Sequence, residues 1–152
     1  MTRFLLYFFI ICILFSCKAH FINEDNNNPQ GYADSQMIGT WKIISVNSDT
    51  YYDWNGDGIT EKNIYSTWSV CQKDNLYSFA ADKTGTFKPN CSVTEAGNWQ
   101  IYNTQFLQYG SVSIGIEYEK FISMTSVQFK TTKQVSLPNG QVATITKTWS
   151  RQ

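Results

Sequence analysis

The run Asp53-Trp54-Asn55-Gly56-Asp57-Gly58-Ile59 sets three oxygen-bearing side chains at alternate positions and then a glycine. That is the ligand spacing of the first half of a calcium-binding loop, where the glycine permits a sharp turn and the next residue offers its carbonyl. Asp53, Asn55 and Asp57 would be the side-chain ligands, the Ile59 carbonyl a fourth, and Glu61 a direct or water-mediated fifth. The last position of the pattern, where a bidentate glutamate belongs, is Ile64. Any Ca²⁺ site is therefore partial, completed by water or by a residue such as Asp49. The same residues also read as a Gly/Asn/Asp turn that holds no metal.

Catalytic chemistry is harder to assemble. Glu117 and Glu119 stand two apart on a strand-like run, so their carboxyls share one face about 7 Å apart. Glycosidases use carboxyl pairs at about 5–9 Å, but these two occupy the polar parity of an amphipathic run and are expected to face solvent. The only histidine is His20, upstream of the folded region. Without it no Ser-His-Asp or Cys-His arrangement and no His-ligated zinc site can be built in the domain. No catalytic residue is assigned, and no enzyme activity is expected.

Four cysteines invite a redox or metal reading, but their positions divide them. Cys12 lies in the N-terminal apolar run, and Cys17 just after it. Cys71 and Cys91 bracket a turn near residue 81, and residues equidistant from a hairpin turn face each other, so a Cys71–Cys91 disulfide is geometrically reasonable. A redox or metal pair would want CxxC spacing or a nearby histidine, and neither is present.

The elements that must position these residues begin after an export signal. Arg3 precedes an uncharged apolar run from Phe4 to Phe15, too short to span a bilayer and built like a secretory signal. Leu14-Phe15-Ser16-Cys17 resembles a bacterial lipobox. The resemblance implies cleavage after residue 16 and lipid on Cys17, hence stable attachment to a cell-envelope membrane, with the outer membrane expected and the face left open. An exported protein meets an oxidising compartment, which favours the disulfide. Residues 17–34, with Asn26-Asn27-Asn28-Pro29 and Gly31, read as a flexible tether, and 35–152 as one domain.

Within that domain the pattern is β throughout. Apolar residues alternate along Val112–Glu119 at even positions, which predicts that the even face is buried. Phe121, Val127 and Phe129 share a parity, and Val142–Trp149 is rich in β-branched residues. Strands are expected at roughly 40–47, 75–80, 84–89, 96–102, 105–109, 111–119, 121–133 and 141–150. Short connections favour an all-β antiparallel meander of about eight strands closed into a barrel, with a β-sandwich as the alternative. The 152 residues suit one core. Twelve Lys+Arg against twelve Asp+Glu leave no net charge, which excludes a nucleic-acid binder built on a basic surface.

Ser35-Gln36-Met37-Ile38-Gly39-Thr40-Trp41 resembles the Gly-x-Trp entry to the first strand of lipocalins. Cys71-Gln72-Lys73-Asp74-Asn75, Tyr77-x-Phe79, Cys91 and Gly97-Asn98-Trp99 follow in an order similar to the lipocalin-like domain of Bacteroidetes lipoproteins. The resemblance implies a ligand-binding barrel, with an Arg near the last strand packed on the entry Trp. The basic residues in that region are Lys147 and Arg151. Trp41, Phe79, Phe87, Trp99, Ile101 and Ile116 are the candidates to line a pocket, and equally the candidates to fill the core. Tyr51, Tyr52 and Trp54 fall in a long loop, where they are expected to form an exposed contact.

The reading that results is a monomeric, lipid-anchored cell-envelope protein whose barrel binds a small apolar ligand without catalysis. Its rival is a structural or protein-interaction module with a filled barrel and a Ca²⁺-stabilised loop.

Overall fold

A computed structural model describes residues 31–91 and 93–152. The signal segment, Cys12, the lipidation candidate Cys17, His20 and the tether up to residue 30 lie outside the described residues.

Eight strands form: β1 (Gly39–Ser48), β2 (Leu76–Phe79), β3 (Thr84–Lys88), β4 (Glu95–Tyr102), β5 (Phe106–Ser111), β6 (Gly115–Met124), β7 (Gln128–Ser136) and β8 (Val142–Arg151). Three single-turn helices accompany them: α1 (Asp34–Met37), α2 (Ile64–Thr67) and α3 (Val70–Lys73). Each strand pairs antiparallel with the next, and β8 pairs back onto β1, so the meander is a closed barrel rather than a sandwich. Closure removes every free sheet edge along the paired lengths, which is the reason a chain of short strands is stable in this form.

One end of the barrel is shut by the entry segment. Trp41 is fully buried, and its indole N–H donates to the Met37 carbonyl at 2.8 Å. The Arg151 guanidinium lies 4.2 Å from the Trp41 ring centroid and donates to the carbonyls of Gln36, Ile38 and Ser126. Arg151, beyond the stretch read as strand, therefore packs the entry Trp. The glycine two residues before Trp41 is required by the same contact. Gly39 has φ +135°, and a Cβ there would stand 2.4 Å from the Arg151 guanidinium. Tyr32, placed in the tether by sequence, packs at this end against Phe121 with ring centroids 4.7 Å apart.

The other end is the mouth, where β1 runs on without β2. Their ladder covers only Gly39–Trp41, and beyond it the fully buried Asn75 side chain takes over. Its Oδ1 accepts from the Ile43 N–H at 2.7 Å, and its Nδ2 donates to the carbonyls of Ile43 and Gln72. A side-chain amide thus supplies the donor and acceptor that the missing strand would have offered. α3 is fixed beside it by a Ser69–Gln72 capping box and by the Cys71–Cys91 disulfide, Cα–Cα 4.7 Å. The expected bond forms, but it joins α3 to the β3–β4 loop rather than two paired strand residues.

One stretch differs from the sequence reading. Val112–Ile114 make the β5–β6 turn, closed by Gly115 at φ +72°, and β6 continues to Met124. A second turn then separates β6 from β7, where one strand over 121–133 was expected, and Val127 in that turn is exposed. Within β6 the inward positions are Glu117, Glu119 and Phe121. Ile116 and Tyr118 face outward, 68% and 55% exposed. The parity is inverted because Glu119 finds its cation on β8, a partner that local alternation cannot reveal.

Candidate functional site

Most of the interior is solid. Trp41 meets Phe129 edge-on at 4.7 Å, and Phe129 stacks on Trp149 at 5.1 Å and 13°. Phe79 contacts Phe87, Trp99 and Tyr109. Ring pairs at these spacings fill the barrel as densely as a protein core. Four of the pocket candidates, Trp41, Phe79, Phe87 and Trp99, belong to this packing at 0–2% exposure. Ile101 is partly buried against the same core, and Ile116 stands outside it.

Space remains at the mouth, as a cup of about 210 Å³. Its apolar wall is Ile43, Trp68, Tyr77, Tyr109 and Ile114, with Glu117 and Lys147 as its charged lining and Gln72, Pro89 and Asn90 also at its edge. β1, β2, β5, β6 and β8 each contribute, and α3 and the Cys91 loop supply the rim that the disulfide ties together. Glu95 holds the Ile114 side by accepting from the Ser111 hydroxyl at 2.7 Å and the Ser113 N–H at 3.1 Å.

Beneath the cup lies a buried polar network. Glu119 is 1% exposed and accepts from Tyr109 at 2.9 Å, from Lys147 and from the Thr131 hydroxyl. Lys147 also donates to the Tyr109 oxygen at 3.2 Å, and the Trp149 indole N–H donates to Thr131 at 2.9 Å. Burial acts to raise the Glu119 carboxyl, but the Lys147 ammonium and the three donors outweigh it and hold the group below its ordinary range. Glu117, beside the cup, pairs with Lys133 at 2.5 Å. The two glutamates read as solvent-facing by parity thus point inward, each neutralised by a lysine.

Tyr77 is the odd member. Its ring contacts Phe87, Tyr109 and Trp149. Burial, with Glu119 and Glu117 nearby, pushes its phenol well above the ordinary value, so it remains a neutral hydroxyl. Among the described residues no hydrogen bond engages that hydroxyl, and no buried side-chain polar atom is left without a partner. The Tyr77 oxygen is therefore open to the cup it lines. Its signal in the sequence was the parity of Tyr77 with Phe79 and of Tyr109 with Leu107.

The 53–61 loop lies in the long β1–β2 connection. Asp53 accepts from the N–H groups of Gly56, Asp57 and Gly58. Asp57 accepts from Asn55 and from the Ile59 N–H, and Glu61 from the Trp54 N–H. The turn closes on its own hydrogen bonds. Among the described residues no three His, Cys, Asp or Glu side chains gather as metal ligands. Tyr52 and Trp54 are packed rather than presented: their rings meet at 5.1 Å, and the Trp54 indole donates to the Glu61 carbonyl. Tyr51 alone of the three stands exposed.

A larger depression of about 620 Å³ lies on the outer wall of β4–β6, bordered by Asn98, Gln100, Gln108, Val112 and Ile116. It lies on the outer face of three strands, whereas the cup draws its lining from five.

No family model matches the chain, and no curated protein does. Among solved structures the chain is similar to Odorant Binding Protein OBP1, at 9% identity and TM-score 0.45, covering 80% of this chain and 75% of that one. A complex of bovine odorant binding protein with a selenium-containing odorant is similar at 12% identity and TM-score 0.43, covering 79% and 73%. The bovine lipocalin allergen Bos d 2 is similar at 15% identity and TM-score 0.40, covering 78% and 75%. These likenesses accompany a fold that the strand ladders define by themselves: a closed, eight-stranded antiparallel meander barrel.

Proposed function

We propose that this protein is a lipid-anchored cell-envelope binding protein, monomeric and non-catalytic, that takes a small molecule with a largely apolar body into the mouth of its barrel. The observation that carries the reading is the cup itself: the aromatic and aliphatic walls of Ile43, Trp68, Tyr77, Tyr109 and Ile114 converge there with the polar side chains of Gln72, Asn90, Glu117 and Lys147. Its volume lies below that of sites for drug-sized ligands, which are about 300–1,000 Å³. Membrane attachment rests on Leu14-Phe15-Ser16-Cys17 alone. It predicts lipid labelling that Cys17→Ala abolishes.

Binding is tested by native extraction and mass spectrometry, together with titration of single-ring probes followed by tryptophan fluorescence, since Trp68 borders the cup. Filling the space with Ile114→Trp should abolish binding while leaving the fold intact by circular dichroism. Binding that survives the filling places the ligand elsewhere.

The interaction-module reading is favoured by one different observation: the larger depression is on the outer wall, next to the exposed Val112 and Ile116. Under it, Ile116→Lys would disturb a partner contact and leave cup probes unaffected. Calcium at Asp53, Asn55, Asp57, the Ile59 carbonyl and Glu61 is proposed as a stabilising ligand of the loop. A rise in melting temperature at millimolar Ca²⁺, lost in Asp53→Ala, is the expected result; no rise in the parent protein rejects it.

A further inference from the structure

The proposed cup has a charge balance that defines what it can accept. Four ionised side chains converge at the mouth in two pairs, Glu119 with Lys147 and Glu117 with Lys133. Glu119 is buried and Lys147 is only 13% exposed, so solvent screens their pairing weakly. Lys147 is further committed to the Tyr109 oxygen and lies 5.9 Å and 5.7 Å from the ring centroids of Tyr109 and Trp149. A ligand carboxylate could claim Lys147 only by stripping it from Glu119. An ammonium ion could use the aromatic walls and Glu117, but only beside a lysine and by displacing Lys133. A carboxylate leaves Glu119 buried without its partner, the costly arrangement, and an ammonium ion takes Glu117 from the half-buried Lys133 and stands beside Lys147. A neutral molecule disturbs neither pair.

Gln72 and Asn90 bring amides to the edge of the cup, and in its aromatic wall the Tyr77 hydroxyl is open to donate or accept one hydrogen bond. A cavity of about 150 Å³ lined by apolar residues holds benzene, so about 210 Å³ admits one substituted ring or an aliphatic chain of like size. Resting on the binding reading above, we infer that the cup selects neutral, single-ring-sized molecules carrying one hydroxyl or carbonyl group, which hydrogen-bonds to Tyr77, and rejects their ionised counterparts. Discrimination on the polar group follows from the general asymmetry that a hydrogen-bonding site disfavours an analogue lacking the group.

The test uses four molecules of nearly one shape: 4-methylphenol, p-xylene, 4-methylbenzoate and 4-methylbenzylammonium. They are titrated at neutral pH into the full chain and into Tyr77→Phe by calorimetry or ligand-observed NMR. The phenol should bind at least about tenfold more tightly than either ion and several-fold more tightly than p-xylene. Tyr77→Phe should erase the preference of phenol over xylene and leave xylene affinity unchanged, which also shows that the variant is folded. Equal or tighter binding of the benzoate or the ammonium overturns the inference while leaving the binding reading intact. So does a phenol preference that survives Tyr77→Phe. If none of the four binds to the folded protein, the cup is no binding site, and both readings fall.

Discussion

The two ends of the barrel solve the problem of a filled interior in different ways. At the closed end Trp41, Phe129 and Phe121 pack ring against ring, and Arg151 caps them from outside with its hydrogen bonds spent on carbonyls. At the mouth two glutamates and two lysines replace apolar side chains on the inward parity, and the packing stops short, leaving the cup. Apolar packing fills space without regard to partner identity, whereas a buried charge is tolerable only with its counterion in place. The closed end should therefore respond to volume, and the mouth to pairing.

The largest effect that can break this contrast is at the mouth. Lys147→Met alone leaves Glu119 buried and unpaired and should cost about 3–5 kcal/mol in urea unfolding. Adding Glu119→Gln should recover part of that loss, because the stranded charge is gone; two additive losses would show that the pair is not coupled. Phe129→Ala at the closed end should cost a similar amount, about 3–5 kcal/mol, through the cavity it opens, while Phe129→Met costs clearly less. Opening the Cys71–Cys91 disulfide with paired serines should cost about 3 kcal/mol, since it closes a loop of 20 residues. It should also loosen probe binding, because Gln72 and Asn90, next to its two ends, border the cup.

Smaller effects sharpen the same comparison. Gly39→Ala must displace the Arg151 guanidinium and adopt a positive φ, a strain of about 1–3 kcal/mol. Arg151→Ala in the same protein should relieve the steric part. The mouth should respond to acid through Glu119. Glu119 is held below its unfolded range, so its contribution is present at neutral pH and is lost as pH falls through the carboxylate range to the folded value. The Glu119→Gln/Lys147→Met double variant should show a shallower loss of stability in acid than the parent protein. Least of all, Val112→Ser at 99% exposure should change stability by no more than about 0.5 kcal/mol.

Much of the closed end was legible because its signals are local. Gly39-Thr40-Trp41 announces the entry, and Tyr77-x-Phe79 and Phe129 declare their inward parity through their own apolarity. Turn residues such as Asn103-Thr104 and Pro138-Asn139-Gly140 fall between the paired strands β4–β5 and β7–β8. The mouth was misread for a complementary reason. Within β6 the apolar Ile116 and Tyr118 are the outward ones, and the inward carboxylates look solvated until β8 brings Lys147 to Glu119 across 28 residues of sequence and β7 brings Lys133 to Glu117 across 16. Ile116 is a pocket candidate on that parity; Ile114 shares the parity but reaches the cup from a turn, and Trp68 lies in a connection that carries no strand signal.

What the sequence by itself determined is therefore the class of object: an all-β chain of short, alternating segments with turns between them, whose apolar content requires one core. Period and turn chemistry are written in neighbouring residues and need no tertiary contact to read. Only the tertiary structure decided which face of β6 is inside, where the filled core ends and the cup begins, and that Asn75 stands in for a strand. Each of those depends on a partner distant in sequence, and the energy of burying a charge or an amide has no meaning until that partner is in place.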